Sequence, residues 1–205
     1  MKVAGVLLAA GSSSRLGKPK QLLCWHGSLL INHIINIIKS SKVDDLVVVL
    51  GYKKQSIEQE LDKTLKIYYN NEWQKGKSES IKLGLKGASE EYDAVIYFTI
   101  DQPFISRQLI DCLIDKASTT RSEIIATRSK NISTIPMIFK KTCFDHLNCL
   151  VGEEGGKKII SSPDLTIDYV EWEDARILID IDTESGYQRA LKADIDSNRK
   201  SNDLI

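Results

Sequence analysis

The sequence predicts an α/β protein, a doubly wound, mostly parallel sheet with helices on both faces. Residues 3–10, 45–51 and 93–100 (VAGVLLAA, DLVVVLG, DAVIYFTI) are short, nearly continuous apolar runs. Such runs suit strands of a parallel sheet covered on both sides. Stretches of helical pattern separate them, so strand and helix alternate and right-handed crossovers follow. A third observation locates the business end of that sheet. The first run stops at Gly11 and passes into SSSRLGKPK, a small-residue segment with three cations. In open α/β sheets ligands sit beyond the carboxyl ends of the strands.

Each element has its own warrant. Residues 29–40 follow Gly27-Ser28, a ready N-cap, and carry apolar side chains at 29, 30, 34, 37 and 38, which reads as a largely buried helix. Residues 52–62 read as an exposed helix and 66–69 as a short strand. Asn70, Asn71 and Gly76 make a turn, and Ser78 or Ser80 caps the helix that runs through Leu85. The strand over 93–100 ends at Asp101-Gln102-Pro103, and Ser106 caps a helix over 106–117. Strands are expected over 123–128 and 135–139 and a helix over 142–150, followed by the charged, glycine-rich GEEGGKK at 152–158. Strands at 167–172 and 177–182 follow, the second placing Asp180 and Asp182 on one face. Residues 184–191 close the fold as a helix. The polar residues 194–205 are expected as a disordered tail, leaving 1–193 as one domain.

Composition narrows the function classes. The chain has 205 residues, enough for a sizeable core. Lys plus Arg and Asp plus Glu both number 28, so no net field draws it to nucleic acid or to an anionic membrane. Cys24, Cys112, Cys143 and Cys149 form no C-x-x-C pair, and His26, His33 and His146 are far apart, which argues for free thiols and against a zinc site. The first apolar run lacks a small-residue cleavage site, and no stretch approaches the roughly 20 apolar residues of a spanning helix. A cytoplasmic protein is expected.

The cationic loop suits a polyphosphate. Gly11, Ser12 and Ser13 leave backbone N–H groups free to converge on one anion. Arg15 offers a planar fork and Lys20 a compact charge. A Walker A loop is excluded, because Gly11 and Gly17 enclose five residues and Pro19 follows Lys18. The dinucleotide pattern G-x-G-x-x-G is absent. Asp101, at the tip of a buried strand and followed by Gln102-Pro103, points toward the same crevice and is a candidate Mg²⁺ ligand.

These residues carry a family resemblance. LAAGSSSRLGKPKQLL resembles the signature L-A-A-G-x-S-x-R-M-G-x-x-K-x-L-L of MobA-like nucleotidyltransferases, most closely the molybdenum cofactor cytidylyltransferase branch, with Leu16 at the usual Met. The resemblance extends to about Leu191. It implies a Rossmann-like nucleotidyltransferase fold, and a triphosphate bound by Leu8, Ala9, Ala10, Gly11, Ser12, Ser13, Arg15 and Lys20. It implies a nucleobase near Ser80, a ribose near Asn70 or Asn71, and Mg²⁺ on Asp101 with Asp180 or Asp182. Arg15, Lys20 and Asp101 would be the catalytic set. Gln102, Gly155 and Lys157 or Lys158 would meet the acceptor, although Thr134 stands where the family has a Gly. The implied reaction joins CMP from CTP to molybdopterin and releases pyrophosphate. A molybdoenzyme or its chaperone would take the product in a transient contact. GTP as donor, a sugar or polyol phosphate as acceptor, and a non-catalytic nucleotide sensor on the same fold remain as alternatives.

Overall fold

A computed structural model describes residues 1–88 and 91–202, the stretch 197–202 by its backbone alone. Its centre is a seven-stranded sheet. The strands are β1 (Val3–Ala9), β4 (Asp45–Leu50), β5 (Lys66–Tyr69), β6 (Ala94–Thr99), β7 (Ile124–Ser129), β8 (Ile132–Lys140) and β9 (Ile167–Glu171), in the order β5-β4-β1-β6-β8-β7-β9. β1 pairs in parallel with β4 on one side and β6 on the other, Leu8 standing beside Val49 and Thr99. β8 alone runs antiparallel to its neighbours, as the return strand of a hairpin with β7, and β9 lies parallel to β7 on the edge. A separate two-stranded ribbon is formed by β2 (Cys24–Trp25) and β3 (Ser28–Leu29).

The apolar runs divide by strand alternation. Leu7, Val48, Ile96 and Phe98 face one layer, where α1 (Leu30–Lys39), α4 (Arg107–Thr119) and the first turns of α7 (Glu184–Asn202) bury Ile31, Ile34, Leu109, Leu113 and Tyr187. Val6, Val49, Val95 and Tyr97 face the other, against Ile81 and Leu85 of α3 (Lys77–Ala88) and Phe144 and Leu147 of α5 (Phe144–Asn148). Each such side chain contributes roughly 1.5–3 kcal/mol when fully buried. All four cysteines are free thiols, and burial pushes that of Cys143 up to about 11. Among the described residues no helix is long and apolar enough to cross a membrane.

Several expectations need correction. Ser28 does not cap α1, because it pairs with Trp25 in the ribbon and the helix starts at Leu30. The helix expected over 52–62 is only α2 (Lys54–Glu58), which buries Ile57 and is followed by turns that bury Leu61. Residues 177–182 are not a strand. A 3₁₀ turn (Ala175–Leu178) leads into an unpaired extended stretch, whose Ile181 N–H donates to the Asp101 carbonyl at 2.8 Å. The two buried positions of 177–182 are Ile177, inside the 3₁₀ turn, and Ile181. From Asp194 to Asn202 the expected tail continues α7, since Ala193, Arg199 and Lys200 sustain a started helix. Residues 203–205 lie outside the described residues.

Candidate active site

The loop after β1 is held by its own side chains. Gln21 is fully buried and donates through Nε2 to the carbonyls of Ala9 at 2.7 Å and Gly11 at 3.3 Å. Ser13 takes the left-handed conformation, φ 54°, and its Oγ accepts from the Lys20 N–H at 3.3 Å. Leu16 and Pro19 are buried beneath, so the chain doubles back and carries Lys20 inward while Arg15 stays outside. The two side chains are 9 % and 71 % exposed.

Lys20 therefore reaches acidic groups from two distant segments. Its Nζ lies 2.9 Å from Oδ1 of Asp182 and 3.4 Å from Oδ2 of Asp101. Arg15 Nη2 holds the other oxygen of Asp182 at 2.9 Å. Burial works against the charge of Asp182, but Lys20 and Arg15 outweigh it and keep the carboxyl below the ordinary range. Asp180 behaves in the opposite way. Loss of hydration, then the negative charge of Asp101, raises its carboxyl above the ordinary range. Among the described residues, no group of three or more His, Cys, Asp or Glu side chains is placed to hold a metal ion. Asp101 and Asp182 do converge on one cation, the Lys20 ammonium. Two carboxylates completed by phosphate oxygens and water suit Mg²⁺.

Two adjoining cavities open here. The first, about 350 Å³, is lined by Leu8, Ala10, Gly11, Ser13, Arg15, Lys20, Ser80, Asp101 and Asp182 among others. The second, about 440 Å³, gathers Gln102, Thr134, Gly155, Lys157, Lys158 and Asp180. The strand reading had put Asp180 and Asp182 on one face; the extended stretch instead delivers them to separate cavities. Ala9 and Ser12 fall outside the lining of the first. Gln102, with Nε2 donating to Thr134 Oγ1 at 2.8 Å, ties the D-Q-P turn to β8. Thr134 was missed as a lining residue, and its one signal was its departure from the family's Gly. Trp73, Gly76, Lys77, Thr99 and Glu153 also line the first cavity without having been read as site residues.

Asn70 does not line the first cavity. Its side chain is buried, donating to Ser80 Oγ at 2.9 Å and accepting from the Glu72 N–H at 2.9 Å, so it fixes Ser80 from behind. Neither Ser78 nor Ser80 caps α3, which already begins at Lys77. The start of α3 is set instead by Gly76. Its φ is +112°, and a Cβ there would stand 2.2 Å from the Gly152 carbonyl oxygen, while the Ser78 N–H donates to that oxygen at 3.0 Å. Backbone cannot give way cheaply, so Gly76→Ala should cost about 2–4 kcal/mol. Gly152→Ala, at φ +55° but in open space, should cost only about 1–2 kcal/mol. Thermal melts of the two variants check this, and equal shifts would remove the contact from the account.

A parallel sheet whose first strand feeds a cationic, small-residue loop, facing a carboxylate at the tip of the neighbouring strand, is the framework of a nucleotidyltransferase. The chain belongs to the MobA-like NTP transferase domain family, whose model matches residues 5–168. It is 29 % identical over 200 residues to the purine catabolism protein PucB of Bacillus subtilis (strain 168), covering 92 % of this chain and 96 % of that one. A probable molybdenum cofactor guanylyltransferase of Bacillus cereus (strain AH820) is 23 % identical over 197 residues, covering 93 % and 96 %. The crystal structure of Rv0371c from Mycobacterium tuberculosis H37Rv complexed with manganese superposes with a TM-score of 0.81 at 22 % identity, covering 94 % of this chain and 99 % of that one.

Proposed function

We propose that this nucleotidyltransferase transfers CMP from CTP to a molybdopterin-type phosphorylated acceptor with Mg²⁺ as its metal. The observation that carries the reading is the Lys20 ammonium between Asp101 and Asp182 in the first cavity, with Asp101 also lining the second. One ammonium between two carboxylates marks where a divalent ion would sit, and leaves Lys20 and Arg15 free to turn to phosphate oxygens. A terminal phosphate oxygen of the acceptor attacks the α-phosphorus of the NTP. The new P–O bond forms as the bond to the bridging oxygen breaks, and its electron pair leaves on pyrophosphate. Two unit charges 4 Å apart repel by about 4 kcal/mol at an effective dielectric near 20, so attack needs local countercharge. Arg15 and Lys20 supply it on the phosphates. Mg²⁺ held by Asp101 and Asp182 would add Lewis-acid stabilisation of the departing pyrophosphate. The protein positions its two substrates and needs no covalent nucleophile.

CTP is favoured over GTP by Ala10. The guanylyltransferase branch tends to carry a second Gly there, and Ala10 lines the first cavity. The acceptor class is supported by the family resemblance and by the names of relatives such as the probable guanylyltransferase. Pyrophosphate release measured with CTP, GTP, ATP and UTP, each with molybdopterin, tests the reading. CTP should be fastest, and chelation of divalent ions should abolish release. A preference for GTP would move the protein to the guanylyltransferase branch. Tight CTP binding without pyrophosphate from any tested acceptor, sugar phosphates included, would favour the sensor.

A further inference from the structure

The two cavities share five lining residues, Leu8, Lys77, Thr99, Asp101 and Glu153. Of these two are apolar or neutral, two are acidic, and Lys77 is the single cation. An acceptor phosphate and an α-phosphate that meet at this seam bring negative charge together beside two carboxylates. Lys20 already serves Asp101 and Asp182, Lys158 lies 3.7 Å from Glu154, and both Lys157 and Lys158 line the second cavity without reaching the first. Lys77 has no ion pair or side-chain hydrogen bond among the described residues. Its stem lies across Gly155, with Cε 2.9 Å and Nζ 3.6 Å from where a side chain on Gly155 would begin. Gly155 thus leaves the space through which Lys77 passes between the cavities, and Gly76, locked against Gly152, fixes the backbone from which it starts.

Resting on the reading given above, we propose that Lys77 is the positioning residue for the acceptor. Its ammonium binds the attacking phosphate and holds it against the α-phosphorus, whereas Arg15 and Lys20 serve the triphosphate. Lys77→Met keeps the stem over Gly155 and removes the charge, and Lys77→Arg keeps the charge. With CTP saturating and acceptor varied, Lys77→Met should lower kcat/KM for the acceptor by about 10- to 100-fold, the loss of one charge-assisted contact. CTP affinity, read by calorimetry, should stay within about twofold. Lys77→Arg should recover most of the loss. Unchanged acceptor kinetics in Lys77→Met overturns the proposal. So does an equal loss of CTP affinity, which would put Lys77 on the triphosphate, and so does an Arg variant as poor as the Met variant. A wild-type protein that releases no pyrophosphate with any acceptor sinks the underlying reading, and is seen before a variant is made.

Discussion

Asp101→Asn is expected to lower turnover at least ~100-fold, the scale of losing a major electrostatic contribution at a reacting centre. Asn matches Asp in shape, and the Asp101 backbone carbonyl still accepts from the Ile181 N–H. What disappears is the charge that faces Lys20 and that would share a divalent ion with Asp182. The melting temperature should therefore move little while the rate collapses. The companion variants Asp182→Asn and Asp180→Asn separate two carboxylates that the sequence left equivalent. Asp182→Asn should raise the Mg²⁺ concentration for half-maximal rate, because Asp182 shares its cation with Asp101. Asp180→Asn should leave that midpoint alone, because Asp180 lines the neighbouring cavity. Wild-type-like rates in Asp101→Asn, with an unchanged Mg²⁺ midpoint, would remove Asp101 from the metal site.

Lys20→Met should reduce kcat/KM for the NTP by ~100-fold or more, through loss of a charge-assisted phosphate contact and of countercharge at the reaction centre. Met preserves the packed stem. Asp101 and Asp182 lose their shared partner, but both remain partly open to water, with side chains 29 % and 39 % exposed. The stability cost should accordingly fall well short of the roughly 3–5 kcal/mol of breaking a fully buried pair. Lys18 makes the contrast. It pairs with Glu184 at 3.2 Å, both side chains more than half exposed, and such pairs contribute about 0–1 kcal/mol. Lys18→Ala should change the same parameter less than about threefold. Parallel kinetics on the two variants decide the matter, and equal losses would mean that the loop is misaligned with its family.

How much of this was legible beforehand depended on how local each signal was. The strands carry their pattern within six or seven residues, and Asp101 announces itself by standing two residues before Pro103 at a strand end. Arg15 and Lys20 were legible as cations in a small-residue loop. That Lys20 turns inward was not, because it depends on Gln21 reaching back to Ala9 and Gly11. Residues 177–182 misled for the same reason in reverse. Alternating Ile and Asp imitates a strand, yet the backbone partner of Ile181 is the distant Asp101. Asn70 was read as a ligand contact because it stands in a ligand-facing loop, but its amide is consumed by Ser80 and Glu72. Trp73, Lys77 and Glu153 reach one wall only because Gly76 and Gly152 touch, and no local pattern records a contact between segments so far apart. At the C-terminal end polar composition suggests disorder, and helix-forming residues after Ala193 override it.

The ion cluster of Arg15, Lys20, Asp101 and Asp182 has a bearing on how a nucleotide arrives. Two cations and two carboxylates cancel within a few ångströms, on a chain whose total charge is itself zero. At a Debye length of about 8 Å under physiological salt, such a site projects almost no potential into solution. An incoming polyanion is neither drawn from a distance nor turned away. On the proposed function it would meet attraction only on contact, as the lysine and arginine left their carboxylates for phosphate oxygens and the vacated acids became available to an accompanying metal. Capture would then be an exchange of partners, in which a lone triphosphate would strand two carboxylates and a lone metal ion would displace the lysine with no phosphate to receive it. A cluster of this kind would favour metal and nucleotide arriving together, a discrimination made by the protein's own charges before any base is read.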